Sequence, residues 1–189
     1  MLNLPPSVPN PGHAVNTDSK LMDMLTGYAS AHQQPLNLAL HLVGIPVIML
    51  GVFIPLSWVG ADIPGYTVNL AHVATFGLFL FYFTLDRIFS VVFLSYAVPL
   101  AILATRIGAE PLAVSGTIAA ATFFGGFTAQ FIGHALEKSV PVILKYPVQA
   151  SVAAPFFIVV EVFSILGLRN DLFKEVQRRI AEHRREQTA

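Results

Sequence analysis

Of 189 residues, 54% are hydrophobic and only 12% charged, and the mean hydropathy of +0.66 is far above that of an ordinary soluble domain of this size. A formal net charge of +0 leaves no basic field for nucleic acid, and the absence of cysteine excludes disulfides, thiolate nucleophiles, iron–sulfur clusters and cysteine zinc sites. The chain therefore reads as an all-α polytopic membrane protein in which any metal must be held by nitrogen or oxygen ligands.

Residues 1–17 carry Pro5, Pro6, Pro9 and Pro11 and no continuous apolar core, so they are expected to be disordered and do not read as a signal peptide. Asp18 can cap a short helix whose Leu21, Leu25 and Tyr28 recur at helical spacing, and this helix is expected to lie on the membrane surface. Five apolar stretches follow, at 36–58, 68–85, 88–106, 112–136 and 147–168. Each approaches the ~20 residues that cross ~30 Å of hydrocarbon, and together with the surface helix they make one helical domain over 18–169. Pro46, Pro55, Pro99 and Pro155 fall inside these stretches and predict kinks or broken ends. Because Asp86-Arg87 leaves almost no linker between the second and third, those two can also form a tight or partly re-entrant hairpin, for a total of four to five spans.

From Asn170 the character changes. Leu172, Phe173, Val176 and Ile180 form an apolar stripe, with Lys174, Arg178, Arg179, Arg184 and Arg185 around it. Residues 170–189 are thus a basic amphipathic tail, cytoplasmic by the positive-inside rule, which either touches anionic headgroups or is simply solvated.

Three histidines stand in or beside the apolar stretches with polar neighbours, and an imidazole is costly to leave unpaired in hydrocarbon. His32 and His41 would face opposite ways on one continuous helix. Pro35 is favoured at a first helical position and pushes its predecessor into an extended conformation, so His32 precedes the helix and can fold back towards Asn37 and His41, which share a face. His134 repeats the pattern, with Gln130 one turn before it and Glu137 and Lys138 three and four residues after. If every stretch crosses, the start of the first and the end of the fourth lie on the same side of the membrane, which allows a three-histidine site oriented by Gln130 or Glu137. Any one such histidine, taken alone, is more often a hydrogen-bonded packing residue. Glu161, well inside the last stretch, is read equally as a structural partner and as a ligand or proton acceptor. His72 lacks comparable polar neighbours and reads as interfacial, and His13 and His183 lie in segments expected to be mobile.

The run Tyr28, His32, Pro35, Asn37, His41, Pro46, then Gln130-Phe131-Ile132-Gly133-His134 with Glu137-Lys138 and Pro141, then Val148-Gln149, Ala154-Pro155-Phe156-Phe157 and Glu161, closely resembles the membrane-bound 2-hydroxy fatty acid dioxygenases of fatty-acid α-oxidation. The resemblance covers both ends of the transmembrane region, whereas residues 59–125 share only apolarity with the family. It implies an Fe(II) enzyme that uses O₂ to shorten a 2-hydroxy long-chain fatty acid by one carbon. His32, His41 and His134 match the motif histidines, and fungal members act in phytosphingosine breakdown in the endoplasmic reticulum. A eukaryotic chain of this kind is expected in that membrane, a bacterial one in the inner membrane. Two departures stand out. Gln33 follows His32 where fungal members often have a second histidine, and Glu137 comes three residues after His134 rather than four, which puts a direct ligand role in doubt but keeps Glu137 on the same flank. Lys138 or Lys145 can steer the substrate carboxylate. The boxes of about eight histidines typical of membrane di-iron desaturases do not occur. A non-enzymatic carrier or scaffold with a His/Glu161 proton relay, or a bis-histidine haem protein, remains an alternative, and the oligomeric state is left open.

Overall fold

The computed structural model describes residues 21–22, 25–26, 34–144 and 147–188. Among the described residues from Gln34 on, the elements follow in the order α1 (Pro35–Ser57), β1 (Gly60–Ile63), β2 (Tyr66–Asn69), α2 (Leu70–Phe83), α3 (Arg87–Gly108), α4 (Leu112–Glu137), a 3₁₀ turn at Val142–Leu144, α5 (Pro147–Ile165) and α6 (Asn170–Thr188). α1, α3, α4 and α5 are long and apolar enough to cross a membrane. The second apolar stretch differs from expectation. Its first residues pair as the antiparallel hairpin, Gly60 opposite Asn69 and Ile63 opposite Tyr66, and α2 keeps only 14 residues, about 21 Å at 1.5 Å per residue.

Specific contacts fix how the helices run. Ser57 Oγ at the end of α1 donates to Ala104 O near the end of α3 at 3.1 Å, so these two helices are parallel. Asn69 caps α2 by accepting from the Ala71 N–H at 3.1 Å, and its amide reaches Thr105 Oγ1 at 2.8 Å, so α2 begins where α3 ends and returns along it. Asp86 then starts α3, its Oδ1 accepting from the N–H groups of Ile88 and Phe89 at 2.9 and 3.0 Å, an N-cap of the ordinary kind. α4 runs back antiparallel to α1.

α5 is the surprise. Tyr82 and Tyr96 donate to the carbonyls of Val152 and Pro155 at 2.6 and 2.5 Å. Beyond them Phe163 packs edge-to-face on Phe89 with ring centres 5.0 Å apart, and Arg169 pairs with Asp86 at 2.5 Å while lying 4.7 Å over the Phe89 ring. α5 thus heads to the end of the bundle at which α3 begins, which is also the end at which α4 finishes. The stretch 147–168 is thus realised as a span-length apolar helix, and Arg169 beyond it sits beside Asp86 at the start of α3. The aromatic cluster of Tyr82, Phe89, Phe93 and Phe156, all at 0% exposure, forms the core under it, Tyr82 and Phe93 meeting at right angles 4.8 Å apart as ring quadrupoles prefer.

The amphipathic pattern of the tail is realised as α6, with Arg178 bridging Glu175 and Glu182 at 2.7 Å. Arg178 and Arg179 hold the half-buried Glu175 carboxyl down at about 2. The apolar stripe is not left to solvent, since Val176 and Ile180 are buried and Leu172 and Phe173 pack on the core. Leu21, Met22 and Leu25 are buried as well, so the apolar face of the N-terminal segment turns to protein; Asp18 and Tyr28 lie outside the described residues.

Candidate metal and lipid site

The seam between α1 and α4 carries the site. Two close approaches let these helices touch. A Cβ on Gly51 would come within 2.6 Å of the Phe123 nitrogen and 2.8 Å of its Cα, and one on Gly133 would strike Asn37 Oδ1. Only glycine leaves room there, as small residues do in membrane helix pairs generally. The start of α1 is thereby pressed on the end of α4.

At that junction His41 and His134, both buried, stand edge to face with ring centres 5.0 Å apart and planes at 87°. His41 Nδ1–H donates to the Asn37 carbonyl at 2.9 Å, which leaves Nε2 as the lone-pair nitrogen. His134 Nδ1 meets Ser139 Oγ at 2.8 Å, and an accepting hydroxyl gives the same tautomer. This is how metal-binding imidazoles are normally oriented. Ser139 gets there because Lys138 takes the left-handed conformation (φ 54) that ends α4, folding the chain back so that Ser139 N–H also bonds His134 O at 3.0 Å. Around the pair, Asn37 Nδ2 donates to Glu137 Oε2, the Gln34 N–H donates to Glu137 Oε1 at 3.2 Å, and Gln130 reaches Leu40 O at 3.4 Å. Asn37 Oδ1 is buried with no hydrogen-bond partner among the described residues.

The donor set fits a metal ion as far as the described residues go. With metal–nitrogen bonds of ~2.1 Å and ring centres ~1.2 Å further out, imidazoles at neighbouring positions on one ion have centres roughly 4.6–5.3 Å apart, against ~6.5 Å for ligands opposite each other. The observed 5.0 Å is the former. No group of three His, Asp or Glu side chains that could hold a metal occurs among the described residues, and the remaining candidate, His32, lies outside them, as does Lys145.

Next to the histidines opens a cavity of about 580 Å³, walled by α1 from His41 to Phe53, by α4 from Phe123 to His134, by Leu78, and by Pro141–Ile143 and the first half of α5 including Gln149. Its size is that of a small-molecule site and its lining is almost wholly apolar apart from the histidines, Gln130, Gln149 and Ser151. Val52 and Phe131 are exposed on the flank of the bundle, so the wall is shared with the hydrocarbon side.

The expected residues divide accordingly. Asn37, His41, Gln130, His134 and Glu137 are brought together. Glu161 is half-buried on α5 and does not line the cavity. Lys138 also lines no part of it and serves as the cap of α4. His72 has the polar partners it was expected to lack: its Nδ1 accepts from the Asn69 N–H at 3.3 Å and its Nε2 meets the Tyr66 hydroxyl at 2.6 Å, which closes the cap of α2 at the opposite end of the bundle. Ser139 is the residue that sequence reasoning missed. Its only sequence signal is Pro141 two residues on, which marks the end of α4.

Replacing Glu137 with alanine removes the acceptor from a buried Asn37 amide, a loss of ~1–3 kcal/mol. Metal affinity is expected to fall about 10–100-fold, as for other outer partners of ligands, with the fold retained; metal titration of purified Glu137→Ala against Glu137→Gln, which keeps an amide oxygen at this position, measures it.

No curated protein and no solved structure matches the chain. A family model described as "2-hydroxy-palmitic acid dioxygenase Mpo1-like" matches residues 19–165, a range that contains all three motif histidines, the α1–α4 seam and the cavity. With that span matched, the chain belongs to the Mpo1-like family.

Proposed function

We propose that this protein is an Fe(II)-dependent dioxygenase that shortens 2-hydroxy long-chain fatty acids by one carbon with O₂. The observation that carries the reading is the buried His41–His134 pair, with His41 Nδ1 bonded to the Asn37 carbonyl and His134 Nδ1 to Ser139 Oγ, at the polar end of an apolar cavity. His41, His134 and His32 would hold the iron, and Asn37, Glu137 and Ser139 keep the imidazoles in place. When bound, iron supplies open positions at which O₂ and the substrate's hydroxyl and carboxylate can meet. The balance closes without a further reductant: the C1–C2 bond breaks, C1 leaves as carbon dioxide, C2 becomes the carboxyl carbon of the shorter acid, and the four electrons released reduce O₂, one oxygen atom appearing as water. The protein's part is to seat the acyl tail among Ile45, Met49 and Phe157 and to keep bulk water from the reacting carbons. Glu161, away from the cavity lining, has no step here. The separation of the two rings favours this reading over a haem clasped between His41 and His134.

Purification under anaerobic conditions should give about one iron per chain, and a 2-hydroxy C16 acid should then drive O₂ uptake with release of carbon dioxide and the C15 acid. Protein with neither bound metal nor turnover would overturn the proposal.

A further inference from the structure

The cavity has a polar and an apolar end, and helix geometry sets the distance between them. Its lining on α1 runs from His41 to Phe53 and on α4 from His134 back to Phe123; at 1.5 Å per residue these are about 18 Å and 16.5 Å. At the far end stand Phe53, buried at 3% exposure, and Phe123, whose backbone is wedged against Gly51, so the helix backbones that carry these two rings are held together. An extended hydrocarbon built from bonds of ~1.5 Å at ~111° advances ~1.3 Å per bond, so this depth takes about thirteen or fourteen bonds beyond the head group at the histidines.

We propose that Phe53 and Phe123 form the stop against which the acyl tail ends, so that the α1–α4 seam acts as a gauge selecting acids of about fourteen to sixteen carbons. This rests on the reading of the cavity as the acyl site of the dioxygenase. The gauge has internal graduations, since Met49 lies one helical turn nearer the histidines than Phe53 and lines the same wall. A phenylalanine at 49 moves the stop by about 5–6 Å, or some four carbons.

The test is a chain-length series of 2-hydroxy acids, ten to twenty carbons, on the full-length protein in lipid nanodiscs, with both binding to metal-free protein and turnover of iron-loaded protein recorded. Wild type should bind and turn over best at fourteen to sixteen carbons. Met49→Phe should move both optima down by about four carbons, and Phe53→Leu should extend them upward. Should Met49→Phe fail to fold, Ile48→Phe, on the same wall, replaces it. A folded variant of either kind with an unshifted optimum overturns the gauge while leaving the dioxygenase reading intact. Binding optima that shift as described, in protein that never consumes O₂, support the gauge and sink the dioxygenase reading instead.

Discussion

On the proposed function, alanine at either His41 or His134 is expected to abolish turnover and to leave purified protein without iron, with loss of more than about 100-fold in metal affinity, beyond what losing an outer partner such as Glu137 costs. The argument is one of numbers: if His32 completes the set, each imidazole is a third of the protein's ligands, and no other His, Asp or Glu among the described residues gathers with the pair to substitute for it. The change should not unfold the chain. The α1–α4 contact is made along its whole length by packing that neither ring carries alone. His72→Ala is the matched control, since that imidazole sits at the opposite end of the bundle beside Tyr66, and it should keep both iron and rate. Metal analysis and O₂ uptake on the four proteins, His32→Ala included, check the set; a folded His41→Ala or His134→Ala protein with full iron and full rate removes that residue from the site.

The second large effect is structural. Gly51→Val should cost at least ~1–3 kcal/mol, the range for overpacking, because the atoms its Cβ would meet at 2.6 and 2.8 Å belong to the Phe123 backbone and cannot swing aside as a side chain does. The helices must part, and the histidines some 15 Å along the seam part with them. Thermal unfolding in detergent should show a lower midpoint and size-exclusion a smaller folded fraction. Gly125→Ala, whose Cβ meets nothing within 4 Å, should behave as wild type. An unchanged midpoint for Gly51→Val would mean that the seam is looser than its geometry.

Hydropathy and the position of Pro35 were enough to find α1, α3 and α4 and to bring His41 and His134 to one end, because an apolar helix of span length has few ways to lie. That parity argument survives the shortening of α2, which still runs beside α3 from Thr105 to Asp86. The hairpin was not legible. Gly60–Ile63 and Tyr66–Asn69 are too short and too mixed to separate from the flanking apolar residues by periodicity, and only the Pro64-Gly65 step marks the turn. Nor does composition show against which neighbours a span-length helix will pack. The course of α5 depends on Tyr82, Tyr96 and Asp86, partners 59 to 83 residues away in sequence. Lys138 has a second part to play that its charge does not announce: its backbone, at φ 54, swings Ser139 to His134.

The Asp86–Arg169 pair has a last consequence. It moors the root of α6 at the end of the bundle where the histidines sit, so the arginine-bearing helix and the polar mouth of the cavity share one aqueous phase. On the proposed chemistry, iron must be delivered from that phase, and the carbon dioxide and water formed are released on its side, while the fatty acids can come and go through the bilayer flank at Val52 and Phe131. A single accessibility label on α6 therefore reports on which side of the membrane the polar mouth of the cavity opens.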